Sequence, residues 1–152
     1  MTIQFADASI PQQVASERPR TASLPLLPLK PGTKTRPNTP QRVARDLKTL
    51  VKFVEFYCAA KHSTETRFPM SGMNVEKIAG KPLLLCPECT KLLMHAMVKR
   101  THCARELKPD CKHCPTHCYA PRYRSEIRNV MKFSGMRLLL RGRIDYLWHL
   151  FF

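Results

Sequence analysis

The chain has 152 residues, enough for one domain and a tail, and it carries 26 Lys and Arg residues against 11 Asp and Glu residues. This positive charge favours nucleic acid, an anionic membrane or an acidic protein as a partner, although charge also serves simply to keep a protein dispersed. The first twenty residues contain no basic segment followed by an apolar run, and no stretch reaches the length of a membrane-spanning helix. We therefore expect a cytoplasmic protein whose thiols stay reduced.

Residues 1–40 are rich in proline and are predicted to be a disordered tail. Seven of the 13 prolines lie here, among Ser, Thr and Gln residues. Each proline removes a backbone donor and disfavours helix at the residue before it. The apolar string LPLLPLKP at 24–31 therefore cannot build a core by itself. The alternative is that this string is a docking motif for a partner.

Residues 41–152 are predicted to be the ordered domain, which begins with a helix. Apolar residues recur at helical spacing from Val43 to His62, just after Pro40. Cys58 and His62 are four residues apart, so they share one face near the end of this helix. Residues 63–82 have no clear period and predict a loop with room for one turn of helix.

The second helix is predicted from Pro87 to about Thr101, because its apolar residues fall on one stripe. Cys86 then lies at the entry of the helix and Cys89 lies in its first turn. Amide donors and the helix dipole favour thiolate over thiol at this position.

Two further helices complete the predicted fold. One runs from Pro121 to about Phe133, Ser134-Gly135 is expected to break the chain direction, and another follows from Met136. No segment alternates long enough to predict a strand. We predict a mainly α-helical fold, a small metal-stapled domain of about four helices with a disordered N-terminal tail.

Six of the seven cysteines lie between residues 86 and 118, as Cys-x2-Cys, a single Cys, and Cys-x2-Cys-x3-Cys. A Cys-x2-Cys pair bends the backbone so that two thiolates converge on one metal ion. The spacing suggests that one zinc ion takes the two Cys-x2-Cys pairs, with the remaining cysteines and a histidine forming a second set. The first set is Cys86, Cys89, Cys111 and Cys114, and the second is Cys103, Cys118 and Cys58 with His62, or else His117 or His102.

An iron–sulfur cluster is the competing interpretation. Cys111-x2-Cys114-x3-Cys118, together with a cysteine from elsewhere, is typical of loops that hold such a cluster. Both metals prefer thiolate ligands, so the cofactor is zinc or an iron–sulfur cluster, and the residues do not choose between them. The remaining alternative is free cysteine in the core, which applies most directly to Cys58 on its helix.

The sequence contains no phosphate-binding loop, no serine-nucleophile motif and no paired carboxylates of a catalytic kind, which favours a non-enzymatic protein. Basic residues are concentrated on the last two predicted helices, with aromatic residues interleaved. This pattern indicates a contact surface for nucleic acid or an acidic protein. A solvated helix surface is the alternative, and the segment 137–152 also has the pattern of an amphipathic helix that lies on a membrane.

Several motifs together resemble the nitrous-oxide-stimulated promoter family of small bacterial proteins. They are Tyr-Cys-x3-His at 57–62, LCPEC at 85–89, CxxCPTHCY at 111–119 and PRYRSEIRNVMKFSGMRLLL at 121–140. The resemblance implies a bacterial cytoplasmic protein of the nitrosative stress response, in which nitric oxide attacks thiolate–metal centres. The matching positions are Cys58, His62, Cys86, Cys89, Cys103, Cys111, Cys114 and Cys118, and we infer that they bind metal. We expect a non-enzymatic sensor or accessory regulator, with a redox or metal-cluster repair factor as the alternative.

Overall fold

The structure, a computed structural model, describes residues 26–142. Within this range the chain forms four α-helices, four short strands and one turn of 3-10 helix, which confirms the predicted mainly α-helical domain. The elements are β1 Thr35–Pro37, α1 Pro40–Lys61, β2 Phe68–Pro69, α2 Val75–Ala79, β3 Leu84–Leu85, α3 Pro87–Thr101, β4 Leu107–Pro109, the 3-10 turn Cys111–His113 and α4 Pro121–Leu140.

The longest helix, α1, packs against both α3 and α4 and carries one wall of the core. It begins where the Thr39 side chain accepts a hydrogen bond from the Arg42 amide, which is a standard N-terminal cap, with Pro40 in the first turn. Its buried residues follow helical spacing and are Leu50, Val51, Phe53, Val54 and Cys58. The predicted first helix is therefore present, and it starts three residues earlier than the apolar pattern does.

The second long helix, α3, begins and ends where the sequence predicts. Its apolar stripe of Cys89, Leu92, Leu93, Ala96 and Met97 is buried against α1. Arg100 is also buried, and its guanidinium donates to Asp46 Oδ2 at 2.6 Å and to Asn38 Oδ1 at 2.9 Å. These charge-assisted hydrogen bonds fix the end of α3 to the start of α1.

The structure corrects the prediction of a break at Ser134-Gly135, because α4 runs through both residues to Leu140. Both are buried, and the Ser134 hydroxyl donates to the Phe53 carbonyl of α1 at 2.8 Å. Small side chains here let the two helices approach closely, so the pair marks a packing contact and not a turn. No helix in the described range is long and apolar enough to cross a bilayer.

Two small antiparallel ladders join the loops, and each strand is too short to produce a recognisable alternating pattern. β1 pairs with β4, and β2 pairs with β3. The region between β2 and β3 contains the short helix α2, which is the one turn of helix that the predicted loop allowed for. Val75 of α2 is buried against the core.

The proline-rich region is described from residue 26 onward, and this part is attached to the domain. β1 lies within it, and the Leu27 amide donates to Thr116 Oγ1 at 3.1 Å. Residues 1–25 of the predicted disordered tail, which the sequence predicts over 1–40, and residues 143–152 of the predicted last helix lie outside the described residues.

Candidate metal centre

Four side chains that bind metals in other proteins meet where the end of α1 lies beside the start of α3. They are Cys58, His62, Cys86 and Cys89, and their ligand atoms all lie within 4.8 Å of one another. The three cysteines are buried, and His62 is half-buried.

The end of α1 supplies two of these side chains, Cys58 and His62, which are one helical turn apart. His62 is the residue that caps the helix, and its amide donates to the Cys58 carbonyl at 3.0 Å. The Tyr57 ring contacts the His62 ring edge-on, with centroids 5.6 Å apart. This contact helps to hold the imidazole towards the two cysteines of α3.

The start of α3 supplies the other two ligands. Cys86 is the N-terminal cap, and its Sγ accepts a hydrogen bond from the Cys89 amide at 3.5 Å. The Cys86 amide in turn donates to Cys58 Sγ at 3.4 Å. The Cys89 amide lowers the pKa of the Cys86 thiol, although the effect of burial is larger and raises it.

The short distances around His62 resemble those of a tetrahedral site. His62 Nδ1 lies 3.1 Å from Cys86 Sγ and 3.4 Å from Cys89 Sγ. Around a zinc ion, bonds of about 2.0 Å to nitrogen and about 2.3 Å to sulfur separate two such ligand atoms by roughly 3.5 Å. These four side chains could therefore hold a metal ion.

Burial makes ionisation of the Cys86 and Cys89 thiols difficult. Burial raises the pKa of the Cys86 thiol, and burial together with the neighbouring Cys58 and Cys86 raises the pKa of Cys89. The Glu65 carboxylate adds a further negative charge 3.8 Å from His62 Nδ1. A divalent cation would relieve this repulsion by replacing the protons, so the donor set suits a thiophilic ion such as zinc.

A cavity of about 240 Å³ opens beside the cluster, between α1, α3 and α4, and is lined in part by His62 and Cys89. Arg122 of α4 lies at the same cavity and pairs with Glu88 at 2.9 Å and with Glu126 at 2.8 Å. A small molecule in this cavity would lie next to two of the four candidate ligands.

The structure corrects the grouping of the cysteines that their spacing suggests. Cys86 and Cys89 lie with Cys58 and His62, and not with Cys111 and Cys114. The reason is that α3 has 15 residues and is about 22 Å long, so it carries the chain away from its own start.

The other predicted ligands lie beyond the far end of α3. They are Cys103 after the helix, Cys111 in the 3-10 turn, and Cys114 and Cys118 in the loop before α4. His102 and His117, the alternatives to His62, are exposed. Within the described range, neither histidine belongs to a cluster as tight as the one around His62.

The fold and the donor set define a class of protein: a small helical domain with a three-cysteine, one-histidine cluster at a helix junction. The chain belongs to the nitrous oxide-stimulated promoter family, whose model matches residues 41–152, as its motifs indicate. It is also similar to "Uncharacterized protein YgbA" of Escherichia coli (strain K12), with 28% identity over 111 residues that cover 72% of this chain and 80% of the relative. No solved structure matches the chain.

Proposed function

We propose that this protein is a non-enzymatic zinc–thiolate protein of the bacterial nitrosative stress response, acting as a sensor or accessory regulator. The observation that carries the proposal is the convergence of Cys58, His62, Cys86 and Cys89 on one point. Three cysteines and one histidine are a common ligand set of structural zinc. An iron–sulfur cluster is less suited to this site, because its ligands are divided among two or more irons, and ligands of different irons lie further apart than ligands of one ion.

The sensing step follows from where the ligands lie. Thiolate is the nucleophilic form of cysteine, so nitrosating species modify zinc-bound sulfur and weaken its hold on the ion. The cavity beside His62 and Cys89 gives small molecules a route to the centre. Because the centre joins α1 to α3, loss of zinc would loosen that junction. The proposal assigns the protein to the cytoplasm. In support of this, all seven cysteines are free thiols, which is usual in a reducing compartment.

The test is to expose zinc-loaded protein to a nitric oxide donor in the presence of oxygen, which oxidises nitric oxide to a nitrosating species, and to measure released zinc and amide hydrogen exchange together. We expect zinc release, with faster exchange concentrated at residues 57–62 and 86–90, because the ligands of these two segments are then no longer held together. A Cys58→Ser variant is the control, since it should release little zinc from this centre. Retention of zinc by the wild-type protein, or release without any change in exchange, would contradict the sensor proposal.

The α4 helix supports a second element of the proposal, contact with an anionic partner, either nucleic acid or an acidic protein. Lys132 and Arg137 are exposed on α4, and the Arg137 guanidinium lies over the Phe133 ring at 4.8 Å. Arg141 lies over the Phe56 ring at 4.9 Å. Basic groups next to aromatic rings suit a phosphate backbone with stacked bases. Binding to a duplex or single-stranded oligonucleotide should weaken steeply with salt, and no binding at low salt would remove nucleic acid as the partner.

A metal-cluster handling or repair factor is the second candidate function. It is favoured by Cys111, which is exposed, and by Cys114 and Cys118, which are only partly buried. Accessible thiolates can pass a metal to another protein by ligand exchange, whereas the first cluster is too enclosed to do so. Transfer of metal from this protein to a metal-free acceptor protein, in a solution without chelator, would support this function.

A further inference from the structure

The cysteines that α3 separates from the first cluster lie in a region of their own. We propose that Cys103, Cys111, Cys114 and Cys118 form a second metal centre, an all-thiolate site for zinc or an iron–sulfur cluster. This inference goes beyond the proposed function, because the second centre uses none of the ligands of the first.

A hydrogen bond joins the two chain segments that carry these cysteines. The Arg105 guanidinium donates to Thr116 Oγ1 at 2.8 Å. Arg105 lies two residues after Cys103, and Thr116 lies midway between Cys114 and Cys118. The bond therefore draws the end of α3 towards the loop that contains the remaining thiols.

Local backbone hydrogen bonds bend the Cys-x2-Cys-x3-Cys segment into consecutive turns. The Cys114 amide donates to the Cys111 carbonyl at 3.4 Å, and the Cys118 amide donates to the Thr116 carbonyl at 3.1 Å. Turns of this kind bring the sulfurs of a Cys-x2-Cys pair to the same side of the chain.

Lys108 provides a separate observation in favour of the second centre. It is a buried lysine whose ammonium points at this region. It is 5% exposed, and its Nζ donates to Cys111 Sγ at 3.2 Å and to the Pro109 carbonyl at 3.3 Å. No carboxylate in residues 26–142 forms an ion pair with it.

A buried ammonium without a counterion is costly. Four thiolates around a metal carry excess negative charge, so Lys108 and the metal centre would neutralise each other. Two contacts fix the backbone of Lys108: its pairing with Arg36 across the β1–β4 ladder, and the Arg42 guanidinium, which donates to the Lys108 carbonyl at 3.2 Å. A donor beside a metal-binding sulfur is one of the contacts that orient and tune the ligands of a metal centre.

The sulfurs of these four cysteines are spread more widely than the ligand atoms of the first cluster, which is the one group within 4.8 Å in residues 26–142. A metal centre here would therefore draw the loop of residues 111–118 closer to Cys103.

The decisive experiment measures zinc, iron and acid-labile sulfide in protein purified without oxygen, in the wild type and in two matched variants. We expect Cys114→Ser to lose the second metal and keep the first, and Cys86→Ser to show the reverse. A different result would overturn the second centre and leave the proposed function intact. In that case the wild type holds one metal, Cys86→Ser loses it, and Cys114→Ser keeps it. The wild type's iron and sulfide content distinguishes a cluster from zinc.

A second measurement works on the wild type and does not depend on the folding of any variant. Cys111 is exposed, so as a free thiol it should react quickly with a maleimide reagent. We expect Cys111, Cys114 and Cys118 to be protected in the protein as isolated and to react only after a chelator is added. Equal rates of labelling before and after chelation would overturn the proposal.

Lys108→Met tests the role of the buried ammonium, with Lys112→Met as its control. Lys112 is exposed and directly follows Cys111, so its replacement removes a charge without removing the contact to sulfur. We expect Lys108→Met to weaken metal binding at the second centre by about 10–100-fold, as the loss of such a contact typically does. Equal effects of the two substitutions would show that the contact from Lys108 has no specific role.

Discussion

At the scale of single residues, two histidines in similar backbone positions differ in what surrounds them. His62 and His102 each cap a long helix, and each amide donates to the carbonyl four residues earlier at 3.0 Å. His62 Nδ1 faces two cysteine sulfurs, whereas His102 Nδ1 lies 3.0 Å from the Val98 carbonyl on the surface. The two histidines therefore have the same position at the end of a helix. Only the cysteines at the start of α3 make His62 a candidate ligand.

His62→Ala is predicted to weaken zinc binding at the first centre, because it removes one of four ligands. His102→Ala is the matched control, since it removes a capping histidine without removing a ligand. The measurement is competition with a chromogenic zinc chelator, in which His62→Ala should give up its zinc at much lower chelator concentrations. Equal retention by both variants would show that His62 is not a ligand.

At the scale of elements, the domain depends on the close approach of α1 and α4. Ser134 is fully buried at this contact, and its hydroxyl donates to the Phe53 carbonyl. This carbonyl lies inside α1, where it also accepts a hydrogen bond of the helix itself. A carbonyl oxygen can accept a second hydrogen bond, so the contact stabilises the crossing without breaking α1. The same small residues that suggest a turn in the sequence thus serve to bring two helices together.

Ser134→Leu is predicted to destabilise the fold by about 1–3 kcal/mol, the usual cost of overpacking a closely packed contact. Ser125→Leu is the control on the same helix, because Ser125 is exposed and its hydroxyl bonds only to the Arg122 carbonyl. The free energy of unfolding in urea measures both changes. A Ser134→Leu protein as stable as Ser125→Leu would show that α1 and α4 do not approach closely here.

At the scale of the whole molecule, the candidate first centre lies where α1 meets α3, and its residues come from segments far apart in the chain. Between Cys58 and Cys86 the chain forms two short strands and the five-residue helix α2. This segment contributes Met70, Val75, Leu83 and Leu85 to the core, and all four side chains are buried. A metal ion at the junction would hold the two ends of this segment together and add to the stability that this burial provides.

The stability of the metal-free and the zinc-loaded protein is predicted to depend on pH in opposite directions. Burial raises the pKa of the Cys86, Cys89 and Cys118 thiols in the folded, metal-free protein above the ordinary value of 9.0. The stability that these protonated thiols contribute is present below that value and is lost as the pH rises past it, because the unfolded chain then ionises first. Zinc requires the deprotonated ligands, so the loaded protein should lose stability on acidification instead.

Thermal unfolding at about pH 5, 7 and 10, with and without a chelator, measures both trends. Tyr119→Phe is the control for the metal-free protein, because burial also raises the pKa of Tyr119 and contributes a loss at alkaline pH. A metal-free Tyr119→Phe protein that is equally stable at about pH 7 and 10 would show that the thiols do not ionise on unfolding as expected.

The sequence by itself determined the helical class, the limits of α3 and the kinds of ligand. Helical spacing and the capping residues act over a few neighbouring positions, so Pro87, Thr101 and the shared face of Cys58 and His62 could all be predicted. A Cys-x2-Cys pair is equally local, because it sets two ligands of a site within one turn of chain.

Only the tertiary structure decided which ligands meet. A Cys-x2-Cys pair leaves two positions of its site open, and the length and direction of α3 determine what fills them. Cys86 and Cys89 therefore face Cys58 and His62, while Cys111 and Cys114 are carried to the other end of the helix. The structural role of Ser134-Gly135 was likewise determined by packing. A pair of small residues is compatible with a turn or with a close contact between helices, and here α1 packs against the pair.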